Sequence, residues 1–300
     1  MYDADAIQRA VGAEALTYAQ NKNRGGRSSA KGRDFEIVYG AFRVALAAAE
    51  AHRAGHSGND VSFVDQVLCF VDDLVTRRPT GLTLEQLKSG GASWASGDHH
   101  LADDFRYQRT LDQAEGIAAT YRLVLGDDGL RQAMLDGRPG DLEDVEVISF
   151  PGLLRDVELI ARLPELAEAL AEMSPRRSEQ IVLEQVWRML LGTWAGSSGE
   201  QTLAALVNEA AAGPGGVVAP LGEEYVLPNE AKIILDNVPG LRFYIRKNFF
   251  AYEAFGGTQR GVADFHCYTP QFGAFVTNLM AHKPTDFFEF WTVYRVLDRV

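Results

Sequence analysis

Apolar residues recur at helical spacing after a basic segment near the N-terminus. The members of this stripe lie three or four positions apart: Phe35, Val38, Phe42, Leu46 and Ala49. Side chains at that spacing share one face of a helix, so we predict a helix from 35 to about 53 with Asp34 as its N-cap. The preceding stretch 21–33 is rich in Gly, Ser and basic residues, which predicts a flexible basic loop.

The pattern changes between 61 and 88 to short runs of β-branched, aromatic and other apolar residues, typical of strands. A Pro-Thr-Gly sequence at 79–81 favours a tight turn, so the second and third strands should form an antiparallel hairpin. A long helical pattern follows from 101 to about 125, and 144–150 has the character of a buried strand. The predicted order is therefore α, β, β, β, α, β.

Beyond this core the pattern is helical over three segments and then mixed. It indicates two strands joined near Lys247 and Asn248, followed by a C-terminal helix. We therefore predict an α/β fold in three parts. These are an N-terminal segment with the basic loop (1–33), the core (34–152), and a helical and mixed α+β region for assembly or regulation (153–300).

Net charge and composition limit the classes of function that are open to this protein. The 300 residues carry a formal net charge of −12, which argues against unaided, non-specific coating of nucleic acid because phosphate contacts need concentrated positive charge. The two cysteines cannot form a dense disulfide framework. No apolar stretch approaches the roughly 18 residues of a membrane span, and the N-terminus lacks a signal-peptide pattern. We expect a cytoplasmic protein without membrane contacts.

The predicted hairpin brings polar residues together. If its turn centres on Thr80, either Asp73 lies opposite Gln86, or Asp72 lies opposite Lys88, and a shift of one residue decides between them. Opposed side chains are about 5 Å apart. An acid, an amide and a lysine are the groups needed to bind Mg²⁺ and orient an attacking water. A surface salt bridge on an edge hairpin is the structural alternative.

The hairpin sequence Asp72-Asp73-Leu74-Val75, a turn, then Leu84-Glu85-Gln86-Leu87-Lys88-Ser89 resembles the PD-(D/E)XK nuclease superfamily. The similarity is to its Gln-X-Lys branch, found in double-stranded DNA endonuclease effectors of bacterial antiphage defence. The element order over about 30 to 150 agrees with that family's. The resemblance implies a restriction-endonuclease-like αβββαβ core and a Mg²⁺- or Mn²⁺-dependent endonuclease that hydrolyses phosphodiester bonds.

The resemblance also implies roles for individual residues. Asp73, or Asp72, would bind the metal, Gln86 would replace the second acid, and Lys88 would be the catalytic lysine. Glu36 at the helix start could complete the metal shell. Glu85, which points to the opposite strand face, is a lesser candidate. If Glu36 does not reach the site, the domain could be an inactive nuclease retained as a structural or adaptor subunit.

The expected partners are double-stranded DNA and either further copies of the chain or other subunits of a defence complex. Weak candidates for nucleic-acid contact are the basic residues of the predicted loop: Lys22, Arg24, Arg27, Lys31 and Arg33. Because the chain is acidic overall, DNA engagement should depend on assembly. The aromatic segments at 243–255 and 287–294 could form a subunit interface or pack within one chain.

Overall fold

The chain folds into two units. The computed structural model describes residues 2–25, 30–95, 100–176 and 179–297. One unit contains residues 1–44, 59–159 and 194–203, and the other contains 45–58, 160–193 and 204–300. The chain thus passes between units more than once, rather than at a single boundary near 152, and the N-terminal segment belongs to the first unit.

A mixed six-stranded sheet forms the centre of the first unit, so the predicted α/β class is confirmed. Its strands are β1 (Ser62–Val64), β2 (Leu74–Arg78), β3 (Gly81–Lys88), β4 (Ala119–Leu125), β5 (Glu146–Ser149) and β6 (Gln201–Thr202). Their order is β5-β4-β3-β2-β1-β6. The β1, β2 and β3 strands are antiparallel neighbours, β6 is antiparallel to β1, and β3, β4 and β5 run parallel.

Several helices lie in this unit or begin in it. They are α1 (Ala4–Val11), α2 (Ala13–Gly25), α3 (Ala30–Ala54), α4 (Leu101–Ala114), α5 (Asp128–Asp136) and α6 (Asp156–Arg162). Apolar residues of α4 and the sheet share one core that includes Leu84, Phe105 and Leu123. Tyr39 of α3 packs against Phe150 with ring centroids 5.0 Å apart. Adjacent strand residues point to opposite faces of a sheet. The α4 helix packs against the face that carries Leu84, and α3 packs against the face that carries Glu85, so the sheet is covered on both sides.

The predicted β2–β3 hairpin is confirmed. Arg78 pairs with Gly81 and Leu74 pairs with Glu85, so Pro79 and Thr80 form the turn. Gly81 has a φ of +135°, a conformation that L residues rarely adopt. A Cβ atom there would also lie 2.3 Å from the carbonyl oxygen of Ala118. This glycine therefore fixes both the turn and the close approach of the next segment.

The predicted helix from 101 to 125 is wrong in its second half. The α4 helix ends at Ala114, and Gly116 adopts a φ of +66° directly after it, where glycine carries no steric penalty. The chain then forms β4, which pairs with β3 along its whole length. The β-branched and aromatic residues of 119–125 favour a strand once a parallel partner is present. The predicted strand at 144–150 is confirmed as β5, but β4 and α5 lie between it and α4, so the order from α3 onward is αβββαβαβ and not αβββαβ.

The predicted basic loop also needs correction. Residues 21–25 belong to α2, and 30–33 belong to α3, so Asp34 lies inside a helix and is not its N-cap. Within 21–33, residues 26–29 lie outside the described residues. Asn has low helix propensity, but Asn23 is held by a 2.7 Å hydrogen bond from its Nδ2 to the carbonyl oxygen of Gln66. This tertiary contact supports the last turn of α2.

The second unit is helical and mixed α+β, as predicted. Its helices include α7 (Pro164–Glu172), α8 (Gln180–Gly196), α9 (Leu203–Ala212), α10 (Asn229–Asp236), α11 (Pro270–His282) and α12 (Phe287–Tyr294). The β7 (Arg242–Arg246), β8 (Phe249–Ala254) and β9 (Gln259–His266) strands form an antiparallel sheet in that order. The predicted strand pair joined at Lys247 and Asn248 is confirmed.

Most C-terminal aromatics pack inside this unit. Phe250, Phe275, Phe290 and Tyr294 are fully buried in one cluster. Others, including Phe255, Phe288 and Trp291, stay exposed.

Neither unit contains, among its described residues, a helix with the length and hydropathy needed to cross a bilayer.

Candidate functional site

A cleft of about 650 Å³ opens in the first unit beside the start of β2. Three of its lining residues are carboxylic acids that come from different elements: Glu36 of α3, Asp65 after β1 and Asp73 before β2. Asn23, Arg33, Ser197 and Ser198 add further polar groups to its walls. The cleft therefore combines negative charge with hydrogen-bonding groups in a single concave site.

Asp73 is held by β3. Extending the observed register by one residue places Asp73 opposite Gln86, which is the first of the two registers considered above. The Gln86 Nε2 atom donates a hydrogen bond to Asp73 Oδ2. The backbone N–H of Leu87 donates to the same oxygen at 2.7 Å. Two donors on one oxygen fix the carboxylate and leave its other oxygen, Oδ1, for a ligand.

Lys22 of α2 is not one of the cleft-lining residues, but it contacts Gln86, which holds Asp73. Its Nζ donates to Gln86 Oε1 at 2.9 Å and forms ion pairs with Asp72 at 3.1 Å and Asp104 at 3.0 Å. It also donates to the carbonyl oxygen of Phe70. An ammonium is a donor only, so it requires the amide oxygen of Gln86 to face it. That arrangement turns the Gln86 amino group toward Asp73.

This contact changes two of the predicted assignments. Lys22 was expected in a solvated basic loop, but it is half-buried and neutralises two buried acids. Gln86 was expected to bind the metal, but its oxygen is engaged by Lys22. In this arrangement Gln86 positions Asp73 instead of offering a ligand atom. Asp72 likewise faces Lys22 and is not among the cleft-lining residues.

Polar residues interrupt the apolar face of α4 and support the same site. They are buried and four positions apart: Asp104, Gln108 and Asp112. Gln108 Oε1 accepts hydrogen bonds from the backbone N–H groups of Phe70 at 2.9 Å and Val71 at 3.4 Å. It therefore fixes the chain immediately before Asp72 and Asp73. The sequence signal for these residues, polar groups at core positions of an amphipathic helix, was present but was not used above.

The electrostatics of the site are those of crowded acids. Burial, followed by the negative charge of Asp73, raises the pKa of Glu36 to about 7, while Lys88 opposes this rise. Burial also raises the pKa of Asp72 to about 6, against the lowering effects of Lys22 and, more weakly, Lys88. Burial alone would lower the pKa of Lys22, but Asp72 and Asp104 raise it above its ordinary value. The half-buried Lys88 thus acts on the same carboxyl groups as the other candidate residues.

Glu85 lies on the other face of β3, as the strand alternation predicted. It is fully buried, and its Oε1 accepts hydrogen bonds from Tyr39 at 2.7 Å and Arg122 at 2.8 Å. Arg43 pairs with the same oxygen. These contacts join β3 to α3 and β4. Glu85 is therefore part of the packing between these elements and stands apart from the cleft.

The structure describes the side chains of only some of the other basic candidate residues. Arg33 is exposed and lines the cleft. Arg27 and the side chains of Arg24 and Lys31 lie outside the described residues. Of the predicted basic residues whose side chains the structure describes, Arg33 lines the cleft and Lys22 contacts Gln86 behind Asp73.

Metal binding by the described residues would have to use few protein ligands. They include no group of three or more His, Cys, Asp or Glu side chains placed to hold a metal ion by themselves. Mg²⁺ is often bound through one or two carboxylates, with waters and substrate phosphates completing its shell. Glu36 and Asp73 have the right chemistry, because both are carboxylic acids that line one cleft and a cation would offset the negative charge of Asp73 that raises the pKa of Glu36.

No protein-family model, curated protein or solved structure matches this chain. The functional argument therefore rests on the geometry and electrostatics of the cleft and on the sequence resemblance of the hairpin.

Proposed function

We propose that the protein is a metal-dependent DNA endonuclease whose active site is the cleft lined by Glu36 and Asp73. Lys88 is not one of the lining residues and is assigned to the site by its electrostatic effect on Glu36. The observation that carries this proposal is the fixed Asp73 carboxylate, which shares a cleft with Glu36 and whose negative charge contributes to the raised pKa of Glu36. The Lys88 ammonium acts on the same group. Acids that hold a cation and a lysine that orients water are the parts that phosphodiester hydrolysis requires.

The roles of the residues follow from their contacts. Asp73 and Glu36 would hold Mg²⁺ or Mn²⁺, which when bound supplies positive charge against the phosphate. Lys88 would orient the attacking water and stabilise negative charge that develops on the phosphate. Gln86 and Lys22 act one step further away, because they fix the orientation of Asp73. Arg33 at the cleft wall is available to contact a flanking phosphate.

The element order of the first unit supports this proposal. A helix bearing Glu36, three antiparallel strands and α4 follow in the order that the resemblance to PD-(D/E)XK nucleases implies, and the next strand is β4 in place of the one predicted at 144–150. Fold alone does not determine function. The argument for nuclease activity therefore depends on the cleft residues.

The test is conversion of supercoiled plasmid to nicked or linear DNA. Wild-type protein should cleave with Mg²⁺ or Mn²⁺ and not with EDTA. Asp73→Asn should lose this activity, because a neutral amide binds the cation less well and disturbs the contact from Gln86. Metal-dependent cleavage that persists in Asp73→Asn would place the active site elsewhere.

The second candidate function is a catalytically inactive structural or adaptor subunit of a bacterial antiphage complex. A specific observation favours it: Lys22 already neutralises Asp72 and occupies the Gln86 oxygen. An active site with fewer ligands binds metal less tightly. Stable association with the products of neighbouring genes, without cleavage by any mixture, would favour this second function over the first.

A further inference from the structure

The β7 strand carries basic and aromatic side chains on its solvent side. Strand alternation gives it two different faces, and Arg242, Tyr244 and Arg246 are the exposed set. The intervening Phe243 and Ile245 pack against the core of the second unit. Tyr244 keeps 44% of its surface exposed although tyrosine rings contribute strongly to core packing. The core of the unit is therefore complete without it.

The two arginines are not used by the fold. Neither Arg242 nor Arg246 has an ion-pair partner among the residues described by the structure, whereas Arg176 and Arg260 in the same unit are paired. Glu253, which lies opposite Arg242 in the sheet, is the partner of Arg260 at 3.7 Å. In a chain with a net charge of −12, two unpaired arginines beside an exposed ring form a local positive surface.

The neighbouring strand leaves room around the tyrosine ring. Tyr244 lies opposite Ala251, a small residue, and Arg246 lies opposite Phe249. A cavity of about 50 Å³ adjoins Tyr244 and Arg246. The surface, which we call the β7 strip, consists of Arg242, Tyr244 and Arg246. Alternate side chains on a strand are about 7 Å apart, so the two guanidinium groups flank the ring.

We propose that the β7 strip binds single-stranded nucleic acid, with the arginines on phosphates and Tyr244 stacked on an unpaired base. Guanidinium groups suit phosphate oxygens in both charge and geometry. An exposed aromatic ring between positive charges is the arrangement by which proteins bind single strands without sequence preference. A duplex offers its phosphates but no free base face. This binding does not depend on the proposed nuclease activity.

The experiment is fluorescence anisotropy of the full chain with labelled single-stranded and duplex DNA of about 20 nucleotides. It is done with EDTA present and at salt on the order of 50 mM. The paired variant Arg242→Ala/Arg246→Ala should weaken single-strand binding about tenfold. Tyr244→Ala should weaken it about tenfold as well, while changing duplex binding little. Melting temperatures should stay at the wild-type value because all three side chains are exposed.

The matched control is Arg155→Ala/Arg188→Ala, which removes the same charge from exposed arginines that pair with local glutamates. It should leave binding at the wild-type level. Equal losses in both paired variants would show that only net charge matters and would overturn the proposal. Stronger binding to polyglutamate than to DNA would assign the strip to an acidic peptide instead. Because Asp73→Asn should still bind, failure here is distinguishable from failure of the nuclease proposal.

Discussion

The residues around Asp73 show how a fold can hold an acid in place for chemistry. Gln86 donates to one carboxylate oxygen, and Lys22 fixes the amide that does so. Each link is a long-range contact between different elements. The orientation of Asp73 therefore depends on α2 as well as on the hairpin that carries the motif.

At the residue scale, the raised pKa of Glu36 has a consequence for stability. Its pKa in the folded protein is about 7, against an ordinary value of 4.5. Because the folded state binds the proton more tightly, the stabilisation is fully present below about pH 4.5 and is lost as the pH rises to about 7. Urea unfolding of the metal-free protein from about pH 5 to about pH 8 should show this decline, and Glu36→Gln should reduce it.

The same group should make metal binding depend on pH. The proton must leave Glu36 before a cation binds, so Mn²⁺ affinity should rise as the pH increases through about 7. Titration calorimetry measures this directly. Equal affinity on both sides of that pH, in wild type and Glu36→Gln alike, would exclude Glu36 from the metal shell.

Lys22 should contribute strongly to stability. Lys22→Met leaves Asp72 and Asp104 buried without their cation, which should cost about 3 kcal/mol of unfolding free energy. Adding Asp104→Asn should recover part of this loss, because one of the two stranded charges is removed. Lys232→Met, at an exposed position, is the control in urea denaturation. If Lys22→Met unfolds at the same urea concentration as the wild type, the result would contradict the buried ion-pair network.

At the scale of elements, β3 carries a different kind of chemistry on each face. Gln86 faces the candidate site, while Glu85 joins Tyr39, Arg43 and Arg122. One strand thus fixes both the site and the packing of α3. Because the two faces of β3 make different contacts, mutations of the adjacent residues Glu85 and Gln86 should have different effects.

Glu85→Gln should destabilise the protein by about 3 kcal/mol, because it removes the fully buried carboxylate that pairs with the half-buried Arg43 and Arg122. Glu146→Gln is the matched control, since Glu146 pairs with the same Arg122 but is largely exposed, and it should cost less than about 1 kcal/mol. Chemical denaturation compares the two. Equal effects would show that burial does not determine the strength of this network.

Elements with strong local signals could be predicted from the sequence. The turn residues at 79–81 predicted the hairpin, and the strand pair around Lys247 followed from its apolar pattern. The β4 strand did not follow from the sequence because 101–125 has apolar residues compatible with both periods, although Gly116 interrupts the helical pattern. Its pairing with β3 is a tertiary contact, which local propensity does not encode.

Some residues of the candidate site could likewise be predicted from the sequence, and others could not. Asp73, Gln86 and Lys88 could be proposed from hairpin spacing and a resemblance. The position of Lys22 could not, because its partners Asp72 and Asp104 are remote in sequence. A basic run is usually solvated, and this lysine differs because α2 brings it to buried acids. The functional role of Gln86 changes as a result.

At the scale of the whole molecule, exposed aromatic side chains favour assembly. Phe288, Phe255 and Trp291 keep 74%, 53% and 38% of their surface exposed. Burying such a patch against a second copy would remove apolar surface from water. Oligomer formation remains a prediction.

Sedimentation at micromolar concentration should detect self-association, and Phe255→Ser/Phe288→Ser should shift the protein toward monomer. The control is Ile181→Ser/Val226→Ser, which changes exposed apolar residues elsewhere. A wild-type protein that is monomeric alone and with neighbouring gene products would contradict the assembly prediction.

The central claim is that the candidate site hydrolyses phosphodiester bonds, with the cleft acids Glu36 and Asp73 holding the metal and Lys88 acting as a catalytic residue. Single-turnover cleavage of end-labelled duplex DNA with Mg²⁺ tests it in wild type, Lys88→Ala and Lys232→Ala. We predict that Lys88→Ala keeps the wild-type melting temperature and loses about 100-fold or more in rate, while Lys232→Ala cleaves as wild type. A Lys88→Ala protein that cleaves at the wild-type rate would contradict the account.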